Sequence, residues 1–125
     1  MTPFDVTFET RTPLWEQVVY AVEKTVVAGK MRPGDPFPSV RSLSKALRIN
    51  PNTAHKIITR LTNDGLLEVK PGIGTVIADP SPSSPAKRGN LLKVELEQIV
   101  VEAKKVGLAL EDVTAALAYH WAHLS

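Results

Sequence analysis

Pro51-Asn52-Thr53-Ala54-His55-Lys56-Ile57-Ile58-Thr59-Arg60-Leu61 is the stretch that decides the fold. Ala54, Ile57, Ile58 and Leu61 recur at i, i+3, i+4 and i+7, which is one apolar stripe at helical spacing. Asn52, His55, Lys56, Thr59 and Arg60 project from the opposite side. That side holds amides, hydroxyls, an imidazole and cations, with no carboxylate and nothing apolar. A solvated helix face ordinarily mixes both signs of charge. A face of donors without acids suits a polyanion, because such groups donate to phosphate oxygens and reach base edges.

The residues on either side of this helix repeat the same kind of signal. Asn50-Pro51 is a start signal, a capping amide followed by proline where no N–H is required. Upstream, Ser39 caps a second short helix, with Val40, Leu43, Ala46 and Leu47 as its apolar side and Arg41, Lys45 and Arg48 outward. Only a tight turn fits between Leu47 and Pro51, so the two helices form a helix-turn-helix. Downstream, Gly65 stops the donor-faced helix. Leu66 to Lys70 reads as a strand, Pro71-Gly72-Ile73-Gly74 as a turn, and Thr75 to Ala78 as a returning strand. A β-hairpin directly after such a helix makes a winged helix, whose tip at Gly72 lets the backbone approach a duplex closely.

Before this region, Phe4, Val6 and Phe8 alternate as a short extended arm with one inward face. Thr12-Pro13 reads as a cap and a first helical position, and Leu14, Val18, Ala21, Val22 and Val26 as the stripe of a helix ending at Gly29. Trp15 and Tyr20 read as packing residues. Met31 to Pro38 holds three prolines and a glycine, so no helix crosses it, and Phe37 plugs the core.

After the hairpin, Asp79 to Asn90 is rich in proline and serine and reads as an extended linker, with Lys87 and Arg88 solvated. From Leu91 the chain is helical again. Leu92, Leu96, Ile99, Ala103 and Val106 form one seam, Gly107 breaks it, and Leu110, Val113, Leu117, Trp121 and Leu124 form another. Two short helices in a hairpin have too little material to bury both seams, so pairing with a second copy is the expected solution. The organisation expected is therefore a winged helix-turn-helix domain over 1–78, a linker over 79–90 and a two-helix dimerisation hairpin over 91–125. The fold class is mainly α with a small β-hairpin.

Charge follows this division. Across residues 39–78 six cations (Arg41, Lys45, Arg48, Lys56, Arg60, Lys70) face two carboxylates (Asp64, Glu68), although the whole 125-residue chain carries only +2. A local basic excess on a helix-turn-helix points to nucleic acid. There is no cysteine, which removes disulfides and thiolate metal sites and fits a reducing cytoplasm. No apolar run approaches the roughly 20 residues of a membrane span, and Met-Thr-Pro-Phe-Asp carries no secretion signal.

Taken together, these motifs resemble the GntR family of transcriptional regulators across residues 13–78. Pro13-Leu14-Trp15-Glu16-Gln17 matches the family's opening Pro-x-aromatic-x-Gln, with Trp15 where Tyr is common. Pro33-Gly34-Asp35-Pro36-Phe37-Pro38-Ser39-Val40-Arg41 matches its Pro-Gly-Asp-x-Leu-Pro-Ser-x-Arg element, with Phe37 in place of Leu. Asn50-Pro51-Asn52-Thr53 matches its Asn-x-x-Thr turn, and Gly65-Leu66-Leu67 through Gly72-Ile73-Gly74-Thr75 its wing. The short tail resembles the YtrA-type subfamily. The resemblance implies DNA contacts from Ser39, Arg41, Asn52, Thr53 and the wing around Gly72, and a homodimer joined through the tail. Ala109 stands where Ser is common, which predicts a frayed start to the last helix.

The expected function is a dimeric, sequence-specific repressor at a palindromic double-stranded DNA operator. Arg41 is the leading candidate for a guanine or phosphate contact, and Asn52, His55 and Lys56 for groove reading. Thr53, Arg60 and Lys70 join them near phosphate. Leu92, Leu96, Ile99, Ala103, Leu110, Val113, Leu117 and Trp121 are the expected dimer contacts. The alternative is a winged-helix protein-interaction module; the donor-faced helix lacks the apolar anchors that role requires. Enzyme signatures are absent: no metalloprotease His-Glu pair and no phosphate loop. His120 and His123, one turn apart, read as surface or dimer histidines, so no metal and no cofactor is expected. Two tail helices leave little room for a ligand pocket of several hundred Å³ or more, so no effector is assigned.

Overall fold

The computed structural model describes residues 2–8, 11–80 and 84–124, and the chain falls into two compact units, Met1–Pro80 and Ser81–Ser125. In the first unit helix α1 (Leu14–Val27) is followed by α2 (Val40–Leu47), α3 (Pro51–Asn63) and an antiparallel ribbon of β1 (Leu67–Lys70) and β2 (Gly74–Ile77). The core is made where α1, α2, α3 and the ribbon meet. Val18, Val22, Leu43, Ile57, Leu61 and Ile77 are its largest fully buried side chains. Each aliphatic side chain so buried contributes about 1.5–3 kcal/mol. Phe37 is buried and stacks on Phe4, the ring centroids 6.0 Å apart.

Each turn around α2 and α3 is closed by specific bonds. Ser39 Oγ accepts from the amide of Ser42, and Asn50 Oδ1 from that of Asn52. Between the two helices Arg48 adopts a left-handed conformation, φ 54°. Its amide donates to the Lys45 carbonyl, the next amide, Ile49, donates to Ser44, and Ser44 Oγ donates to the Ile49 carbonyl at 2.6 Å. This is the capping pattern usually given to glycine. A β-carbon there costs on the order of 1 kcal/mol.

The proline-rich segment before α2 is more ordered than a loop. Gly34 and Phe37 donate to the carbonyls of Ile77 and Thr75, and Ile77 donates to Asp35. Pro36 thus sits opposite Val76 as an added edge position on the ribbon. In an antiparallel pair that position needs no N–H toward its neighbour, which is why proline is tolerated.

Several expectations need correction. Helix α1 opens at Leu14: Pro13, with extended ψ, is the cap residue in place of Thr12, and the Thr12 carbonyl accepts from Gln17 Nε2. Ala46 is exposed. Phe4 is 4% and Phe8 42% exposed, so the arm does not bury a regular alternating face; its residues 1, 9 and 10 lie outside the described residues. The linker reading fails over Pro85–Asn90, which form helix α4, because Ser84 Oγ accepts from the Lys87 amide and Pro85 takes the first helical position. Residues 81–83 of that stretch lie outside the described residues.

In the second unit α4 passes through a π-helical turn, Leu91–Glu95, into α5 (Leu96–Lys105), and α6 (Leu110–His123) follows. Gly107, at φ 79°, ends α5, with Leu108 donating to Ala103 and Gly107 to Lys104. The start of α6 is not left open despite Ala109, since Asp112 Oδ2 accepts from the Ala109 amide at 2.9 Å. Among the described residues α5 and α6 do not pack along each other beyond the turn, so the expected hairpin is an open one. Ala103 is buried and Val113 half-buried, whereas Leu92, Leu96, Ile99, Leu110, Leu117 and Trp121 face outward.

Replacing Arg48 with Gly is expected to raise the unfolding free energy by about 0.5–1 kcal/mol, the relief of left-handed strain less the glycine's extra unfolded-state entropy. Urea titration followed by circular dichroism measures it; a loss of stability would show that the Arg48 side chain contributes more than its backbone costs.

Candidate nucleic-acid interface

Helix α3 is set by its stripe. Ala54, Ile57 and Leu61 are completely buried and Ile58 is half-buried against the same cluster. This fixes the rotation of the helix, so Asn52, His55, Lys56, Thr59 and Arg60 all lie exposed on its other side. Thr53 is half-buried at the margin.

The helix ends add to the donors. Neither α2 nor α3 has an acidic residue in its first turn, whereas α1 has Glu16 and α6 has Glu111 and Asp112. The positive dipole ends of the helix-turn-helix are therefore left uncompensated, which suits an anion. Ser39 opens α2, its exposed hydroxyl accepting the Ser42 amide and lying 3.1 Å from Ser42 Oγ. Arg41 follows in the first turn, exposed and without a salt bridge among the described residues. At the wing, Lys70 pairs in register with Gly74, and Glu68 Oε1 is 3.8 Å from its ammonium. Gly72 sits at the tip with φ 79°.

Two cations of α3 are less free than the helical wheel implies. Arg60 Nε lies 3.0 Å from Asp64 Oδ2. Lys56 Nζ stands 4.4 Å from the centroid of the Trp15 ring on α1, and the Arg60 guanidinium 5.6 Å from it. The Arg60–Asp64 pair has the i,i+4 spacing of a local helix pair, but no local pattern announces the contacts to Trp15, which is far from α3 in sequence. The sequence reading also passes over Ile73, an apolar side chain 74% exposed at the wing tip beside Gly72. At the far end of the second unit, the His123 ring stacks on Tyr119 at 3.9 Å and its Nδ1 lies 2.8 Å from the Tyr119 carbonyl.

A buried-stripe recognition helix, two acid-free helix starts and a following ribbon define a winged helix-turn-helix regulator that acts on DNA. Comparison with known proteins places it more closely. Residues 14–77 match the family described as "Bacterial regulatory proteins, gntR family". The chain is 33% identical over 103 residues to the HTH-type transcriptional repressor YtrA of Bacillus subtilis, covering 82% of this chain and 79% of that protein. Among solved structures, a transcriptional antiterminator from Listeria monocytogenes superposes with TM-score 0.84 at 24% identity, over 97% of this chain and 91% of that one. YtrA from Sulfolobus acidocaldarius, a GntR-family transcription factor, superposes with TM-score 0.56 at 21% identity, over 95% and 97%. The chain belongs to the bacterial GntR family of transcriptional regulators, in its YtrA-type branch. Among the described residues no helix is long and apolar enough to cross a membrane.

One carboxyl near this face is perturbed. Burial, and then the Asp64 carboxylate, push Glu23 above its ordinary value of 4.5, against a smaller opposite pull from Arg60. The folded chain therefore holds the Glu23 proton more tightly than the unfolded chain does. Stability falls as pH rises through the interval from 4.5 to the raised value, and stays lowered above it. Glu23→Gln is expected to raise the melting temperature at neutral pH, with the gain vanishing below pH 4.5; a thermal-melt series across pH checks this, and a gain independent of pH would contradict it.

Proposed function

We propose that the chain is a transcriptional repressor that works as a homodimer, each copy placing α3 in the major groove of one half of a palindromic operator. The observation that carries this is the fixed outward face of α3, donors and cations without an acid, next to two acid-free helix starts. Arg41, Asn52 and His55 are the base-reading set. Ser39, Thr53, Lys56, Lys70 and the wing at Gly72 hold the sugar-phosphate edges. Repression is supported by the likeness to YtrA of Bacillus subtilis, a protein named as a repressor. The role needs no cofactor and no catalytic residue, and its place is the cytoplasm, with the DNA. The exposed face of α3 offers no large apolar anchor, which disfavours a protein-docking role.

Dimerisation is supported by the second unit. Trp121 is 79% and Leu110 73% exposed in the single chain, with Leu92, Ile99 and Leu117 beside them in sequence seams. Apolar surface of that extent on a soluble chain marks an association surface. An open pair of helices, neither packed along its length on another helix among the described residues, is completed by the same pair from a second copy. A two-fold dimer then matches an inverted repeat.

Arg41→Ala is expected to weaken binding to a selected operator by about 1–3 kcal/mol and to relax base preference at one position in each half-site. Band-shift titration against single-base variants reads both; unchanged affinity removes Arg41 from the base-reading set. Leu117→Asp is expected to give a monomer by sedimentation velocity and to lose most operator affinity while the first unit keeps its thermal transition. A dimer that survives this change would place the interface elsewhere.

A further inference from the structure

Trp15 belongs to α1, outside the two helices that approach DNA, and its half-buried indole packs against the core cluster. Packing explains one side of the ring. The ring is also in use from α3: Lys56 Nζ stands over it, 4.4 Å from the centroid, with Arg60 one helical turn further on at 5.6 Å. The attraction is that of a cation for the negative face of an aromatic ring, and indole is the strongest such face among the side chains.

The two cations do not share the same fate. Arg60 has a counter-ion, Asp64, at 3.0 Å. Lys56 has no carboxylate within salt-bridge distance among the described residues. The ring holds the Lys56 ammonium without neutralising it, so the full charge remains available to an anion. A lysine stem has high rotamer freedom, and a flexible side chain that must be ordered on docking weakens the complex by that ordering. Pinned against a platform that the core keeps rigid, Lys56 is ordered beforehand. Arg60, paired with Asp64 and the same ring, braces the α1–α3 contact.

We infer that Trp15 is a positioning residue for DNA binding: its indole holds the Lys56 ammonium where it meets a backbone phosphate, and Arg60 serves as the brace beside it. The inference rests on the reading of α3 as the DNA-facing helix. Trp15 touches no DNA itself. Its contribution passes through Lys56 and is absent when Lys56 is absent.

The test is a double-mutant cycle in the full chain, with a duplex selected by the wild-type protein and affinities measured by fluorescence anisotropy over a salt series. Lys56→Met is expected to weaken binding and to reduce the slope of log affinity against log salt by about one. Trp15→Leu is expected to weaken binding about two- to fivefold with the slope retained, since the phosphate contact still forms from a disordered side chain. Trp15→Phe, which keeps an aromatic face, restores part of that loss. In the Lys56→Met background, Trp15→Leu adds no further loss. Thermal unfolding of each variant verifies that it is folded at the assay temperature. An equal loss from Trp15→Leu with and without Lys56 overturns the inference, because the indole then acts through the fold alone. So does a Lys56→Met variant with unchanged affinity and slope. A wild-type chain that prefers no duplex overturns this inference together with the DNA reading beneath it, whereas the first two outcomes leave that reading standing.

Discussion

The burial of Ala54, Ile57 and Leu61, each with no exposed surface, is the constraint on which the rest of the structure depends. A helix anchored along one stripe cannot rotate without moving those side chains into water, at about 1.5–3 kcal/mol for each of the larger two. The opposite face is therefore held outward with little freedom. Specific reading of a duplex requires this, because base-edge contacts tolerate small errors of placement only. In the proposed role, function begins as a packing decision: the apolar positions of α3 determine which polar positions are offered.

The neighbouring elements defend that placement from three sides. Ser44 and the left-handed Arg48 close the turn from α2 through a hydroxyl and two backbone bonds, so the angle between the helices is set by short-range geometry. On the far side the ribbon is extended by Gly34–Phe37, whose bonds to Thr75 and Ile77 tie the entry of α2 to the wing. The prolines of this segment, which forbid a helix, are compatible with an edge position. From α1, Trp15 reaches two cations of α3. Helix α3, the turn before it and the base of the ribbon at Leu67 and Ile77 are thus parts of one core.

Much of this arrangement is legible in the order of the residues. The stripe of α3, the caps at Ser39 and Asn50, the hairpin turn at Gly72 and the stop at Gly107 are short-range patterns, and each appears where its pattern places it. What is not legible depends on distance in sequence or on competition between signals. Pro and Ser over 79–90 read as an extended linker, yet a serine cap followed by proline is also a helix start, and over Pro85–Asn90 that second meaning prevails. Arg48 takes a glycine's conformation without a glycine to announce it. The ring beneath Lys56 lies on another helix altogether, whereas the Arg60–Asp64 pair is an i,i+4 spacing that the sequence does carry. The open arrangement of α5 and α6 has the same origin, since periodicity reveals which residues want a partner and is silent on who supplies it.

Selection of bound sites from a random pool of duplexes, using the purified full chain, bears most directly on the claim that a rigidly held α3 reads DNA in two symmetric copies. The account predicts enrichment of one inverted repeat whose half-site centres lie about 10 base pairs, or a multiple of that, apart. A pool that returns no enriched sequence, or a single half-site without symmetry, would contradict it.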